Sequence, residues 1–175
     1  MAESCLYNSP IGVLKISEDN GKIMGLSLCG KSDKVMCCAE LQQNQQSIHC
    51  SGQGAQQQCS GLLAEACRQL DEYFQGQRKQ FDLPIDYNGT PFQEKVWKEL
   101  RSIPYGETRS YEDIAIGVGS PNAVRAVGQA NHRNPILLLI PCHRVIHKNG
   151  DISGFACGIE TKKYLLDLER LHFFK

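Results

Sequence analysis

The sequence is short of several things at once. Its nine cysteines (5, 29, 37, 38, 50, 59, 67, 142 and 157) include no Cys-x-x-Cys pair. No apolar run approaches the roughly 20 residues of a membrane span, and the Lys/Arg and Asp/Glu totals cancel at 19 each. An odd number of cysteines cannot pair completely within the chain, and in a reducing compartment most should be free thiols. A zinc site from Cys37, Cys38, His49, Cys50 and Cys59 fits no structural zinc spacing, so no metal is expected. The opening MAESCLYNSPIG lacks the basic and apolar regions of a signal peptide, which predicts an intracellular protein without a membrane partner. The composition, 41% apolar and 22% charged over 175 residues, is that of a globular chain with one large domain or two small ones.

A more local absence carries more information. Ile114 to Gly150 contains no acidic residue, while it holds Arg125, Arg133, Arg144, Lys148, His132, His143 and His147. Residues 1–91 carry seven Lys/Arg against ten Asp/Glu, and residues 92–175 carry twelve against nine. A neutral chain with this polarity has a basic region suited to phosphate.

The two halves also differ in pattern. Val13–Ser17 and Ile23–Leu28 are short aliphatic runs joined through Asn20-Gly21, the strongest short hairpin signal, and Ser9-Pro10-Ile11-Gly12 suggests an earlier turn. Gln42 to Gly61, with eight glutamines between 42 and 58, has too few apolar residues for a core and reads as a mobile loop. Leu62, Leu63, Ala66, Cys67, Leu70, Tyr73 and Phe74 recur at helical spacing. Phe81–Gly89 then reads as a linker. The expected fold is a small antiparallel sheet plus a helix over residues 1–88, followed by a mainly helical domain over 89–175.

In that second domain Thr90-Pro91 is an N-cap and N1 pair, with Phe92, Val96, Trp97 and Leu100 on one stripe. Ser110-Tyr111-Glu112-Asp113 resembles a capping box opening a helix to about Gly117, and Ser120-Pro121 predicts a helix from Asn122 to about Asn131. The pair has the form of a helix-turn-helix. On the second helix Ala123, Val124, Val127 and Ala130 share one side; Arg125, Asn122 and Gln129 lie opposite, with Ala126 beside them. Small residues around one arginine would let this face approach a nucleic-acid groove closely.

Ile136–His147 reads ILLLIPCHRVIH, an apparently buried strand running into a thiol and an adjacent histidine. A free cysteine is only about 3% thiolate at pH 7, so a reactive Cys142 needs a base or a cation nearby. In an extended strand His143 would face away from Cys142, so contact requires a bend or a bridging water. A last helix from Thr161 to about Phe173 has an apolar stripe of Tyr164, Leu165, Leu166, Leu168, Leu171 and Phe173. Glu169 falls inside that stripe, where a carboxylate needs a partner, and a histidine is a reasonable one. These residues leave two classes open: a cysteine enzyme of the Cys-His-acid kind, or a DNA-binding module with an incidental cysteine.

The segment NPILLLIPCHRV (Asn134–Val145) resembles the active-site signature of the O6-alkylguanine-DNA alkyltransferases. PFQEKVWKELRSIPYGETRSY (91–111), RAVGQAN (125–131) and KKYLLDLE (162–169) fit the same family in order. The resemblance implies single-use repair of double-stranded DNA, without a cofactor, by a monomer that moves an alkyl group from O6 of guanine to its own Cys142. It implies His143 as a base acting through water, Glu169 as its orienting acid, and Asn134 holding the turn before the nucleophile. Arg125 would replace the flipped nucleotide in the stack, and Tyr111 would assist rotation and donate a proton to the departing guanine. The recognition helix, carrying Asn122, Ala126 and Gln129, would sit in the minor groove, where contacts read shape and backbone. Guanine would bind by backbone groups near Cys142 and Val145 and by the loop Phe155-Ala156-Cys157. A nucleus is the expected compartment for a eukaryotic source and the cytoplasm otherwise.

Gly154-Phe155-Ala156-Cys157-Gly158 departs from the family's usual Gly-Tyr-Ser-Gly-Gly. The hydroxyl at 156 is lost and a side chain replaces glycine at 157, which predicts a narrower pocket and poorer reaction with bulky groups. Some animal members hold a structural zinc in the first domain; Cys5 fits that set without three visible companions. A Cys-His-acid hydrolase would turn over, and related alkyl-lesion binding proteins lack the nucleophile that Cys142 supplies.

Overall fold

The computed structural model describes residues 2–29, 47–50 and 61–173, with backbone alone for 47–50. It divides into two compact units, Met1–Tyr87 and Asn88–Lys175.

The first unit is built on strands β1 (Glu3–Ser9), β2 (Gly12–Asp19) and β3 (Lys22–Leu28), which pair antiparallel in sequence. Between β2 and β3, Asn20 and Gly21 take φ of 51° and 72°, the positive pair that a two-residue hairpin turn requires. Alternation sends Cys5 and Tyr7, then Leu14 and Ile16, to one buried face. A bulge between Ser17 and Glu18 leaves Met24 out of the ladder, so Ile23 and Leu26 both reach that face despite their odd spacing. Helix α1 (Leu62–Phe74) covers it with Leu63, Ala66, Cys67, Leu70 and Tyr73.

Two features differ from expectation. A fourth strand, β4 (Ser47–Cys50), runs parallel to β1 and makes the sheet mixed, in the order β3-β2-β1-β4. It lies inside the glutamine-rich segment expected to be loop; the rest of residues 42–58 falls outside the described residues, as do Cys37, Cys38 and Cys59. The stretch expected to be a linker also adheres to β3. Ile23 N–H donates to the Pro84 carbonyl at 2.8 Å, and Asp86 N–H donates to the Ile23 carbonyl at 3.0 Å. An unpaired strand edge takes up whatever extended backbone is offered to it, and Pro84 presents its carbonyl, the one group it can contribute.

In the second unit α2 (Pro91–Leu100) opens on the expected cap. Gln93 N–H donates to the Thr90 hydroxyl at 3.3 Å, and Thr90 N–H donates to the Gln93 carboxamide at 2.9 Å. Strand β5 (Arg109–Ser110) leads into α3 (Tyr111–Gly117), capped reciprocally by Ser110 and Asp113. Next come α4 (Val124–His132), a 3-10 turn at Cys142–Arg144, and β6 (Val145–Ile146), which pairs parallel with β5. The last element is α5 (Ile159–His172). Helix α2 packs against both α3 and α4, and the Trp97 indole N–H donates to the Ala130 carbonyl at 2.9 Å.

Three expectations need correction here. Helix α4 begins at Val124, not Asn122, and has no side-chain cap. Ser120, expected to cap it, closes α3 instead: its N–H donates to the Ala115 carbonyl, beside the Gly119 N–H, which donates to that of Ile116. With the later start Val124 is exposed, while Val127 and Ala130 are buried. The aliphatic run before Cys142 is not a strand. Leu138 takes φ of 70°, and Ile140 N–H donates back to the Ile136 carbonyl at 3.0 Å, folding the run on itself. On α5, Leu165 and Leu166 are buried, but Tyr164, Phe173 and above all Leu171, 67% exposed, are not. Lys162 and Glu169 occupy the buried face in their place.

Candidate active site

The turn that carries Cys142 is shaped by one carboxamide. Asn134 accepts the Ile136 N–H on its oxygen at 3.0 Å, which fixes the orientation of the group. Its nitrogen then donates to the Ile140 carbonyl at 2.7 Å and to Cys142 Sγ at 3.1 Å. Asn134 thus ties both ends of the folded aliphatic run to the thiol. The positive φ at Leu138 costs on the order of 1–3 kcal/mol and persists because the surrounding packing holds it; Ile136, Leu137, Leu138 and Ile140 are all buried.

Because Cys142 and His143 lie in a 3-10 turn, the strand rule that would place them on opposite faces does not apply. The His143 Nε2 stands 2.8 Å from Glu169 Oε1. Glu169, 1% exposed, also accepts from Arg144 Nε at 2.9 Å, Arg144 Nη2 at 3.0 Å and the Gly106 N–H at 3.0 Å. Arg144 Nη1 donates to the Ile103 carbonyl at 2.7 Å. Burial raises the Glu169 carboxyl, but the hydrogen bonds and charges of His143 and Arg144 together outweigh it and hold the group well below the usual carboxylate range. An ionised carboxylate can only accept, so Nε2 of His143 carries the proton and Nδ1 holds the lone pair. Burial also pushes His143 below its ordinary value, against the pull of Glu169, and keeps the imidazole neutral. Its Nδ1 is buried without a hydrogen-bond partner among the described residues.

Cys142 is 4% exposed, and burial pushes its thiol up to about 11, with Asn134 and Lys162 opposing. Lys162 is the residue that sequence reasoning missed. It is fully buried, its Nζ donates to the Val145 carbonyl at 2.6 Å, and it lies over the rings of Tyr111 at 5.9 Å and Phe155 at 5.8 Å. Of the backbone groups near Cys142 and Val145 expected to meet guanine, the Val145 carbonyl is already engaged by one donor, leaving its second lone pair.

Tyr111 faces two ways. It lies within electrostatic range of Cys142, and burial raises its hydroxyl above the ordinary value. It also lines an open cleft of about 580 Å³ with Val124, Arg125, Gly128, Gln129, His132, Arg133, His147 and Gly154. Of the groove-facing residues expected on α4, Arg125 and Gln129 line this cleft. Ala126 is exposed beside it, and Asn122 is exposed ahead of the helix. Gly128 and His132, one and two turns after Val124, complete the open face. In the loop before α5, Phe155 and Cys157 are half-buried and Ala156 is exposed; Cys157 interacts electrostatically with Cys142.

Residues 5–87 match the family model for the ribonuclease-like domain of 6-O-methylguanine DNA methyltransferase, and residues 91–171 match the model for its DNA-binding domain. The chain belongs to this family. The constitutive methylated-DNA–protein-cysteine methyltransferase of Bacillus subtilis is 59% identical over 112 residues, 63% of this chain and 68% of that protein. The Methanosarcina acetivorans protein of the same name is 39% identical over 164 residues, 94% of this chain and 96% of its own length. Among solved structures, Mycobacterium tuberculosis OGT in complex with DNA aligns with a TM-score of 0.78 and 37% identity, covering 97% of this chain and 94% of that one. As a methyltransferase of this family the chain is an enzyme of DNA repair that transfers an alkyl group from DNA to a cysteine. Among its described residues no helix is long and apolar enough to cross a membrane.

Proposed function

We propose that Cys142 is the acceptor: its sulfur attacks the alkyl carbon on O6 of guanine, the C–O bond breaks, and the protein is consumed as a thioether. The observation that carries this is the chain Glu169–His143 beside a buried thiol held by Asn134. At about pH 7 a thiol titrating near 11 is on the order of 0.01% ionised, so the proton must leave during the reaction. His143 Nδ1 supplies the lone pair for it through a bridging water, with Glu169 stabilising the imidazolium that forms. Tyr111 returns a proton to the departing guanine from the cleft side.

Arg125, Gln129 and the small residues about them support a reading in which α3 and α4 act as a helix-turn-helix on the minor groove. O6 inside a duplex cannot reach a sulfur this deeply buried, so the base flips out at a cost of a few kcal/mol, and Arg125 fills the gap. In this reading residues 1–88 form the supporting domain and 89–175 the DNA-binding and transfer domain. The cytoplasm suits relatives that are bacterial and archaeal, and the nucleus applies to a eukaryotic source. The half-buried Cys157 supports the narrower pocket: benzyl should react more slowly relative to methyl, and Cys157→Gly should raise the benzyl-to-methyl rate ratio.

The test is incubation with duplex DNA carrying labelled O6-methylguanine. One label per protein, abolished by Cys142→Ala with DNA binding retained, is the expected result. Multiple turnovers, or transfer that survives Cys142→Ala, overturns the assignment. Arg125→Ala should weaken both binding and transfer.

A further inference from the structure

Away from Cys142, the first unit buries a pair of thiols. Cys5, on the core face of β1, and Cys67, on the core face of α1, place their sulfurs 3.9 Å apart at 2% and 8% exposure. Tyr7, two residues along the same face of β1, donates its hydroxyl to Asp71 at 2.7 Å, one turn beyond Cys67 on α1. This bond ties the strand to the helix one turn from the sulfur pair and helps hold the two thiols in register. Both cysteines are free.

We propose that Cys5 and Cys67 are an oxidisable dithiol, which a peroxide converts to a disulfide that staples β1 to α1. One sulfur takes an oxygen from hydrogen peroxide to become a sulfenic acid, releasing water. The second sulfur then attacks it, forming the S–S bond and releasing a second water, so two thiols and one peroxide give one disulfide and two waters. For the bond to form, the sulfurs must close from 3.9 Å to about 2.05 Å. The bond would join residues 62 apart in sequence, and a loop of that size gains stability mainly by restricting the unfolded chain. The two sulfurs already meet in a buried S–H···S contact in which either thiol can donate. Nothing in this device needs Cys142.

The full chain, reduced and then treated with hydrogen peroxide, is digested without reduction after free thiols are blocked. A peptide linking Cys5 to Cys67 is the expected product. Calorimetry should show an unfolding transition raised by roughly 10 °C, reversed by dithiothreitol and absent in Cys67→Ala. Cys5 and Cys67 that remain blockable after oxidation, or Cys5 linked to another cysteine, overturn the proposal without reference to any variant. A linked peptide with no rise in the transition overturns the staple, and so does a rise that survives in Cys67→Ala.

Discussion

The two units are of nearly equal length but bury different chemistry. Among the described residues of Met1–Tyr87 the core is aliphatic and aromatic with two thiols and one carboxamide, Gln69, and ion pairs such as Arg68 with Glu65 and Lys22 with Asp86 stay in water. In Asn88–Lys175 the interior holds Glu169, Arg144, His143 and Lys162. A core of the first kind holds no buried charge and is bound mainly by non-directional packing. A core of the second kind stands only while every charge keeps its partners, because the desolvation of each is offset by specific bonds. The protein concentrates that vulnerability beside the buried thiol proposed as the alkyl acceptor.

The sharpest way to break the contrast is Arg144→Leu. Glu169, a buried carboxylate, would lose two donors and the full positive charge beside it. The expected cost is about 3–5 kcal/mol in urea unfolding, together with loss of alkyl transfer. A variant as stable as the parent would mean that the network contributes little to holding the unit. Acidification attacks the same network with a known sign. His143 is held below its ordinary value, so the unfolded chain protonates there first, and stability falls as pH drops below about 6.5. Glu169 is also lowered, so its contribution is complete above an unfolded value near 4.3 and is lost as pH falls toward its lower folded one. Unfolding free energy that stays flat between about pH 7 and 5 would contradict the first direction, and one that stays flat below about pH 4 the second.

How much of this could be read beforehand follows the range of the interactions. Cys142, His143 and Asn134 lie within one short motif, and Glu169 betrays itself as a charge at an apolar position of a helical repeat. Arg125 was legible for the same reason, by its angle on α4. Lys162 was not, because long charged side chains usually reach water, and nothing local says that its head meets the Val145 carbonyl. Arg144 was visible only as positive charge in an acid-free segment; its bidentate hold on Glu169 depends on where α5 comes to lie. The strand expected before Cys142 failed at Leu138, whose positive φ is imposed by the Asn134 bonds and the packing around it, since a leucine gives no local signal for it. The β4 strand is likewise an edge pairing with β1, which four residues within a glutamine-rich stretch do not announce.

Lys162→Met tests the contrast at a finer level. It removes a buried charge, which favours folding, and a donor to Val145, which opposes it, so the net change in stability should lie within about 1–2 kcal/mol. Its effect on the thiol has one sign. Lys162 opposes the rise of Cys142, so its loss should move the alkylation pH profile of Cys142 further upward and slow methyl transfer at neutral pH. A profile that moves down, or transfer that speeds up, would show that the ammonium does not act on the sulfur.

The smallest effect belongs to the first unit. Arg68 bridges Glu65 and Glu72 on the open side of α1 and is half exposed, so water and salt already screen each of these pairs. Arg68→Ala should therefore leave both the thermal midpoint and methyl transfer indistinguishable from the parent, at low and at high salt. A clear loss of stability at low ionic strength that salt abolishes would place a working charge network in this unit too. The difference between the two halves would then be one of degree in burial, not of kind.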